Sequence, residues 1–192
     1  MPNYAKYYIA IVPEGEIQEK ATGLKLAVKD KFNFKYALKS PAHVTLKMPF
    51  RYNEAKEQKL IDHLSTFLGQ QPAFDLELKG IGRFGRRVLY IRVSQPPELM
   101  TLQQELGEFC KRELKLIEEL ADKAYNPHMT IASKDVKDSR FDECLAFLKE
   151  EGFFERLYVD KVALLKKGER NWEVVIQIVL GTKYQVPSTK YF

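Results

Sequence analysis

The sequence predicts an α+β protein in which two pseudo-symmetric lobes, each a small, mostly antiparallel sheet with outer helices, flank a central cleft. Three observations point there. Apolar residues recur at helical spacing in several segments, as at Ile17, Ala21, Leu24 and Val28. Between these segments lie short β-branched and aromatic runs, some joined by glycine-bearing turns such as "GRFGR". The order helix, strand, helix, hairpin then occurs twice, with Pro13 and Pro97 opening the two units 84 positions apart. Elements of this kind bury their apolar faces by packing helices onto sheets. The whole chain, 1–192, reads as a single bilobal domain with pseudo-repeats over about 14–94 and 97–180.

The elements follow in order. A first strand over 4–12 is rich in Tyr and Ile, and a helix runs from about 14 to 32. The next strand carries His43, and a helix from 54 to about 68 follows it. Two strands, 74–81 and 87–94, form a hairpin around "GRFGR". After "QPP" a helix from 98 to about 116 places Leu99, Leu102, Leu106 and Phe109 on one face. A strand carrying His128, a helix over 141–150 and two strands, 157–165 and 172–180, close the second unit around "KKGERN". The terminal "TKYQVPSTKYF" receives no chemistry.

With 192 residues, 45% apolar and 30% charged, the chain has the make-up of an ordinary globular protein with a sizeable core. The net charge of +5 permits anionic partners without demanding them, because acids and bases alternate along the helices. The longest apolar run, "VVIQIVL", is broken by Gln177 and falls short of the ~20 residues that span a bilayer. The first residues read as a strand ending at Pro13 and not as a signal peptide. No membrane association and no obligate protein partner are expected, and the cytoplasm is the expected location. Cys110 and Cys144 lack CxxC spacing and read as structural thiols. No HExxH and no carboxylate at ligand spacing beside His43 or His128 is present, so neither a metal nor another cofactor is expected.

Two of the three histidines share a setting. "HVTL" begins at His43 and "HMTI" at His128, 85 positions later. On a strand, His43 and Thr45 share one face and Val44 and Leu46 the other; His128 and Thr130 likewise oppose Met129 and Ile131. Each strand thus offers an imidazole and a hydroxyl on its open face. Two such pairs facing each other suit phosphodiester chemistry without metal. One histidine accepts a proton from the attacking oxygen, the other protonates the leaving oxygen, and Thr45 and Thr130 hydrogen-bond the phosphate. His63 has no counterpart in the second unit and reads as a helix-surface residue.

The paired HxT strands resemble the signatures of the 2H phosphoesterase superfamily, above all its bacterial 2′-5′ RNA ligase/cyclic phosphodiesterase branch. The resemblance covers nearly the whole chain. It implies a bilobal fold and cleavage of 2′,3′-cyclic phosphates at RNA ends or on nucleotides, with reversible 2′-5′ RNA joining in some members. In the hydrolytic direction His128 is assigned the base and His43 the acid, roles that reversal exchanges. Strand parity adds Tyr90 and Arg92 to the cleft face, and the basic turn "GRFGRR" adds Phe84 and Arg86 as further substrate contacts. One tyrosine of the first strand, Tyr7 or Tyr8, also faces the groove. The rival reading is a non-catalytic module that binds a nucleotide or RNA end.

Overall fold

The computed structural model describes residues 3–117 and 119–181; the terminal "TKYQVPSTKYF" lies outside them. The α+β class is as expected. In chain order the described elements are β1 (Tyr4–Ile11), α1 (Gly15–Phe32), β2 (Val44–Asn53), α2 (Glu57–Leu68), β3 (Phe74–Phe84), β4 (Val88–Val93), α3 (Pro97–Arg112), the single-turn α4 (Leu120–Lys123), β5 (His128–Ser133), α5 (Phe141–Glu151), β6 (Phe154–Val159), β7 (Lys161–Lys167) and β8 (Trp172–Val179).

The strands form one sheet, ordered β6-β3-β4-β5-β2-β1-β7-β8, whose ladders are all antiparallel. Two segments differ from the sequence expectation. The strand expected over 157–165 is two strands separated only by Asp160: β6 pairs with β3, and β7 with β1. Alternation of apolar residues cannot reveal a change of partner, so the break is silent in the sequence. Because β6 and β7 are consecutive in the chain yet first and seventh in the sheet, the sheet must curl to bring them together. The helix expected to reach about 116 stops at Arg112. There Lys115 turns the chain with φ 54° and the Leu116 N–H closes on the Cys110 carbonyl.

Behind the sheet lies the main core. Tyr7, Ile9 and Ile11 of β1 meet Ala21, Val28 and Phe32 of α1, Leu60 and Leu64 of α2, Leu102 and Leu106 of α3, and Phe141 and Leu148 of α5. The front of β1 carries Tyr8 and Ala10, which join Ala163, Leu165 and Trp172 in a separate, smaller cluster. Cys110 and Cys144 are buried in helices, and burial pushes their thiols up to about 12 and about 11.

The two sequence units do not map onto the two halves of this sheet. The hairpin β3–β4, from the first unit, extends the ladder of β5, and β7–β8, from the second, extends that of β1 and β2. Helices cross as well: α1 packs on β5, α3 on β2, α2 on β8 and α5 on β3. Each half therefore contains one HxT strand and elements from both halves of the chain.

Where β2 meets β5, Val44 pairs with Met129, both fully buried behind the sheet. Two polar clamps flank this seam. Lys47 of β2 is paired with Asp122 of α4, each side chain 3% exposed. Asp122 also accepts the Met48 N–H at 2.9 Å and the Glu119 N–H at 3.0 Å. On the other side, Asp135, just past β5, accepts the N–H groups of Lys35 and Tyr36 at 2.7 and 2.8 Å. Each HxT strand thus holds the loop that leads into the other's histidine.

Removing one member of a buried pair strands the other without water, at a cost of about 3–5 kcal/mol. Asp122→Ala is therefore expected to lower the urea midpoint by a corresponding amount. The double replacement Lys47→Met/Asp122→Leu should recover the part of the loss due to the stranded ammonium but not that of the Met48 and Glu119 N–H groups, both read by equilibrium unfolding.

Candidate active site

The front of the seam carries the four residues of the two motifs. Val44 pairs with Met129, so by strand alternation the residues that flank them, His43 and Thr45 on one strand and His128 and Thr130 on the other, come to the front of the seam and form one small patch. All four residues are partly exposed, whereas Val44, Leu46, Met129 and Ile131 are buried behind.

The rings are held alike. His43 Nδ1 lies 2.8 Å from the Pro41 carbonyl and His128 Nδ1 lies 2.8 Å from the Asn126 carbonyl, in each case two residues upstream. A carbonyl only accepts, so each Nδ1 bears the proton and each Nε2 presents a lone pair. Burial pulls the pKa of His43 down to about 4; its carbonyl bond opposes this, while the charges of Lys25 and of His128 add to the lowering. His128 is also lowered, mainly by burial, against its bond to Asn126. The cleft thus holds two neutral imidazoles, and an anion bound between them is the natural agent to restore a proton to one.

The loop before His43 is fixed from α1. The Gln18 carboxamide takes both backbone groups of Ala42, accepting its N–H at 2.8 Å and donating to its carbonyl at 2.9 Å. Lys25, only 2% exposed, donates to the Ala37 and Ser40 carbonyls at 3.1 Å each, and burial lowers its pKa to about 8. The sequence reading missed both residues. A signal existed for Lys25, which falls on the apolar stripe of Ala21, Val28 and Phe32.

Each histidine is backed by an aromatic from the neighbouring strand. Tyr8 of β1 lies 4.9 Å from the His43 ring, with Trp172 4.7 Å behind it. Tyr8 is thus the tyrosine on the groove side, while the Tyr7 hydroxyl donates to Glu57 on the other. Trp172 was not foreseen, since nothing in the sequence tells which half of the sheet β8 joins. Tyr90 of β4 lies 5.3 Å from His128 and pairs with Thr130, and Phe84 meets the same imidazole edge-on at 4.8 Å. Gly82 makes this possible, because a Cβ there would fall 2.4 Å from the Tyr90 ring. Arg92 pairs with His128 across β4–β5 and has no carboxylate partner among the described residues.

Arg86 departs from the expected placement. Its guanidinium is taken by Asp138 and Asp142, the closest contacts 2.5 and 2.9 Å, and lies over the Phe141 ring on α5. Two acids on the segment entering α5 claim this arginine, and Arg87 instead lines the groove beside His128. His63 lies on α2 with Phe67, Phe109 and Glu113, outside the patch. Among the described residues no three His, Cys, Asp or Glu side chains are grouped so that they could hold a metal ion. Nor is any described helix long and apolar enough to cross a membrane.

Known proteins share this fold. A family model described as the 2′-5′ RNA ligase superfamily matches residues 13–171. A Bacillus cytotoxicus protein with a provisional phosphoesterase name is 31% identical over 180 residues, covering 92% of this chain and 97% of the relative. A similarly named Bacillus cereus protein is 30% identical over 181 residues with the same coverage. Among solved structures, TT0787 of Thermus thermophilus has a TM-score of 0.67 at 16% identity, over 93% of this chain and 100% of that one. LigT of E. coli, solved with 3′-AMP, has a TM-score of 0.63 at 19% identity, over 93% and 99%.

The lowered His43 pKa sets a stability trend. As pH falls from 6.5 towards 4, the unfolded chain takes up the His43 proton and the folded chain does not, so stability declines across that window. Imidazole 15N spectra are expected to show His43 neutral, with its proton on Nδ1, until pH nears 4, and inorganic phosphate to shift one histidine upward. A His43 that titrates near 6.5 without ligand would contradict the burial argument.

Proposed function

The chain belongs to the 2′-5′ RNA ligase superfamily, a family of ligase and phosphoesterase type, and we propose that it opens 2′,3′-cyclic phosphates on RNA ends or nucleotides without a metal. The observation that carries this reading is the pair of His–Thr sets on one face of the β2–β5 seam, both imidazoles offering a free Nε2.

The proposed reaction follows from the patch. The cyclic phosphate sits between the four side chains, and the Thr45 and Thr130 hydroxyls donate to its non-bridging oxygens, stabilising charge that grows as the fifth bond forms. One Nε2 takes a proton from water as its oxygen bonds to phosphorus. The P–O bond to one ribose oxygen breaks, and the other Nε2, protonated beforehand, delivers its proton to that oxygen. A 5′-hydroxyl in place of water yields a 2′-5′ linkage by the same proton transfers when the 3′-oxygen leaves, and the reverse cleaves it. The stronger desolvation of His43 favours it as the base and His128 as the acid, the opposite of the order assigned from the sequence. Arg92 stands beside His128 to meet a phosphate oxygen, and Tyr90 and Phe84 offer faces on which a base can stack. A nucleotide-sized ligand accords with the 3′-AMP held by LigT.

His43→Ala and His128→Ala should each lower kcat on a 2′,3′-cyclic nucleotide by several orders of magnitude with the fold intact, and chelators should leave the wild type unchanged. Full activity in either variant refutes the two-histidine reading, and a ligand bound but never consumed identifies a binding module instead. Because both free imidazoles are depressed, kcat/KM should peak below pH 6.5, and kcat, which reports the anion-bound state, at higher pH.

A further inference from the structure

A groove of about 690 Å³ leaves His128 and Thr130 along β4 and β5, passes Phe84 and Val88, and ends on Arg87 and Lys134. Across its end stands Tyr36, in the loop before His43. The Lys134 ammonium donates to the Tyr36 hydroxyl at 2.8 Å, and Lys39 lies 4.9 Å from the centre of the same ring. Neither lysine nor Arg87 meets a carboxylate among the described residues. The acid nearest in sequence, Asp135, spends one oxygen on the backbone of Lys35 and Tyr36, and its other is buried.

The hydrogen bond from Lys134 lowers the Tyr36 pKa against the effect of burial, and the charges of Lys134, Lys39 and Lys167 add to the lowering. Lys134 itself is held at φ 61°, a conformation uncommon for a side-chain-bearing residue. Some cations elsewhere, Lys20, Lys47, Arg86 and Lys166 among them, have acid partners; among the described residues Arg87, Lys134 and Lys39 do not. An anion laid in the groove meets Arg87 and Lys134 where no carboxylate among the described residues pairs with them.

We propose that Arg87, Lys134 and Lys39, with the Tyr36 hydroxyl, form a second phosphate subsite that receives the phosphodiester next to the reacting one. The substrate class that follows is an oligonucleotide end and not a mononucleotide. This rests on the phosphodiester reading above, because the subsite matters only if a nucleic-acid phosphate occupies the seam.

The test compares the wild type with Lys39→Ala/Lys134→Asn, asparagine being chosen because it tolerates the left-handed backbone. A separate Arg87→Ala variant is compared as well. Both are assayed on 2′,3′-cyclic AMP and on a short RNA ending in a 2′,3′-cyclic phosphate. For the RNA, the double variant should raise KM by about tenfold at low salt and reduce the salt dependence of kcat/KM by a slope of about 1–2. KM for cyclic AMP should move by less than about twofold, the change expected if no phosphate reaches the subsite. Equal effects on both substrates, or none on the RNA, overturn the subsite. Affinity for the same RNA, read by fluorescence anisotropy, separates the two levels of inference. Charge-dependent binding of RNA without turnover sinks the phosphodiesterase reading and keeps the subsite; turnover without discrimination does the reverse.

Discussion

A single residue pair, Val44 with Met129, joins the two halves of the sheet at its centre, and everything in front of the sheet depends on its register. A slip of one residue along either strand would turn a histidine and a threonine into the core and bring valine or methionine to the front. A seam this short has little ladder of its own to resist slippage. The buried Lys47–Asp122 pair and the Asp135 carboxylate supply what the ladder lacks, each tying one strand to the loop entering the other. Their chemistry is opposite in sign: one side brings a cation and a backbone N–H to an acid, the other an acid to two backbone N–H groups. A buried ion pair is a doubtful source of net stability. Its use here is better understood as fixing where one strand sits beside another.

The two imidazoles lie in a balance between opposed effects. A carbonyl accepting from Nδ1 favours the protonated ring, and enclosure disfavours it; enclosure wins in both, and more strongly at His43. The result is a cleft whose imidazoles are both biased towards the neutral form, a bias that a bound anion opposes. Gln18 and Lys25 contribute indirectly, by tying Ala42 and the Ala37 and Ser40 carbonyls to α1 on either side of the Pro41 carbonyl that holds the His43 ring.

Much of this was legible in the sequence, because it follows from local rules. The period-2 alternation of the HxT strands placed His43, Thr45, His128 and Thr130 on one face, and the same parity brought Tyr90 and Arg92 to the front of β4. What was hidden depends on which strand pairs with which. Trp172 could not be placed, since nothing near it names β7's other neighbour as β1. The division of 154–167 into two strands was invisible for the same reason. Arg86 was misplaced because composition does not reveal that Asp138 and Asp142, more than fifty positions on at the start of α5, fold back to meet it. Gln18 carries no signal of its own in the sequence, its role arising only when Ala42 folds back against it.

The crossing of elements between halves has a consequence for how the chain reaches this state. During synthesis from the N-terminus, β1 and β2 can pair early, but the other edge of β1 stays bare until residues 161–167 appear. The hairpin β3–β4 likewise waits for β5, and β3 for β6. Neither half can close as a foldon of its own, so the topology demands late, long-range strand docking, the regime in which folding is slow and unpaired edges are exposed. A truncated chain ending before β7 would present the apolar strand β1 as an open template for a second molecule.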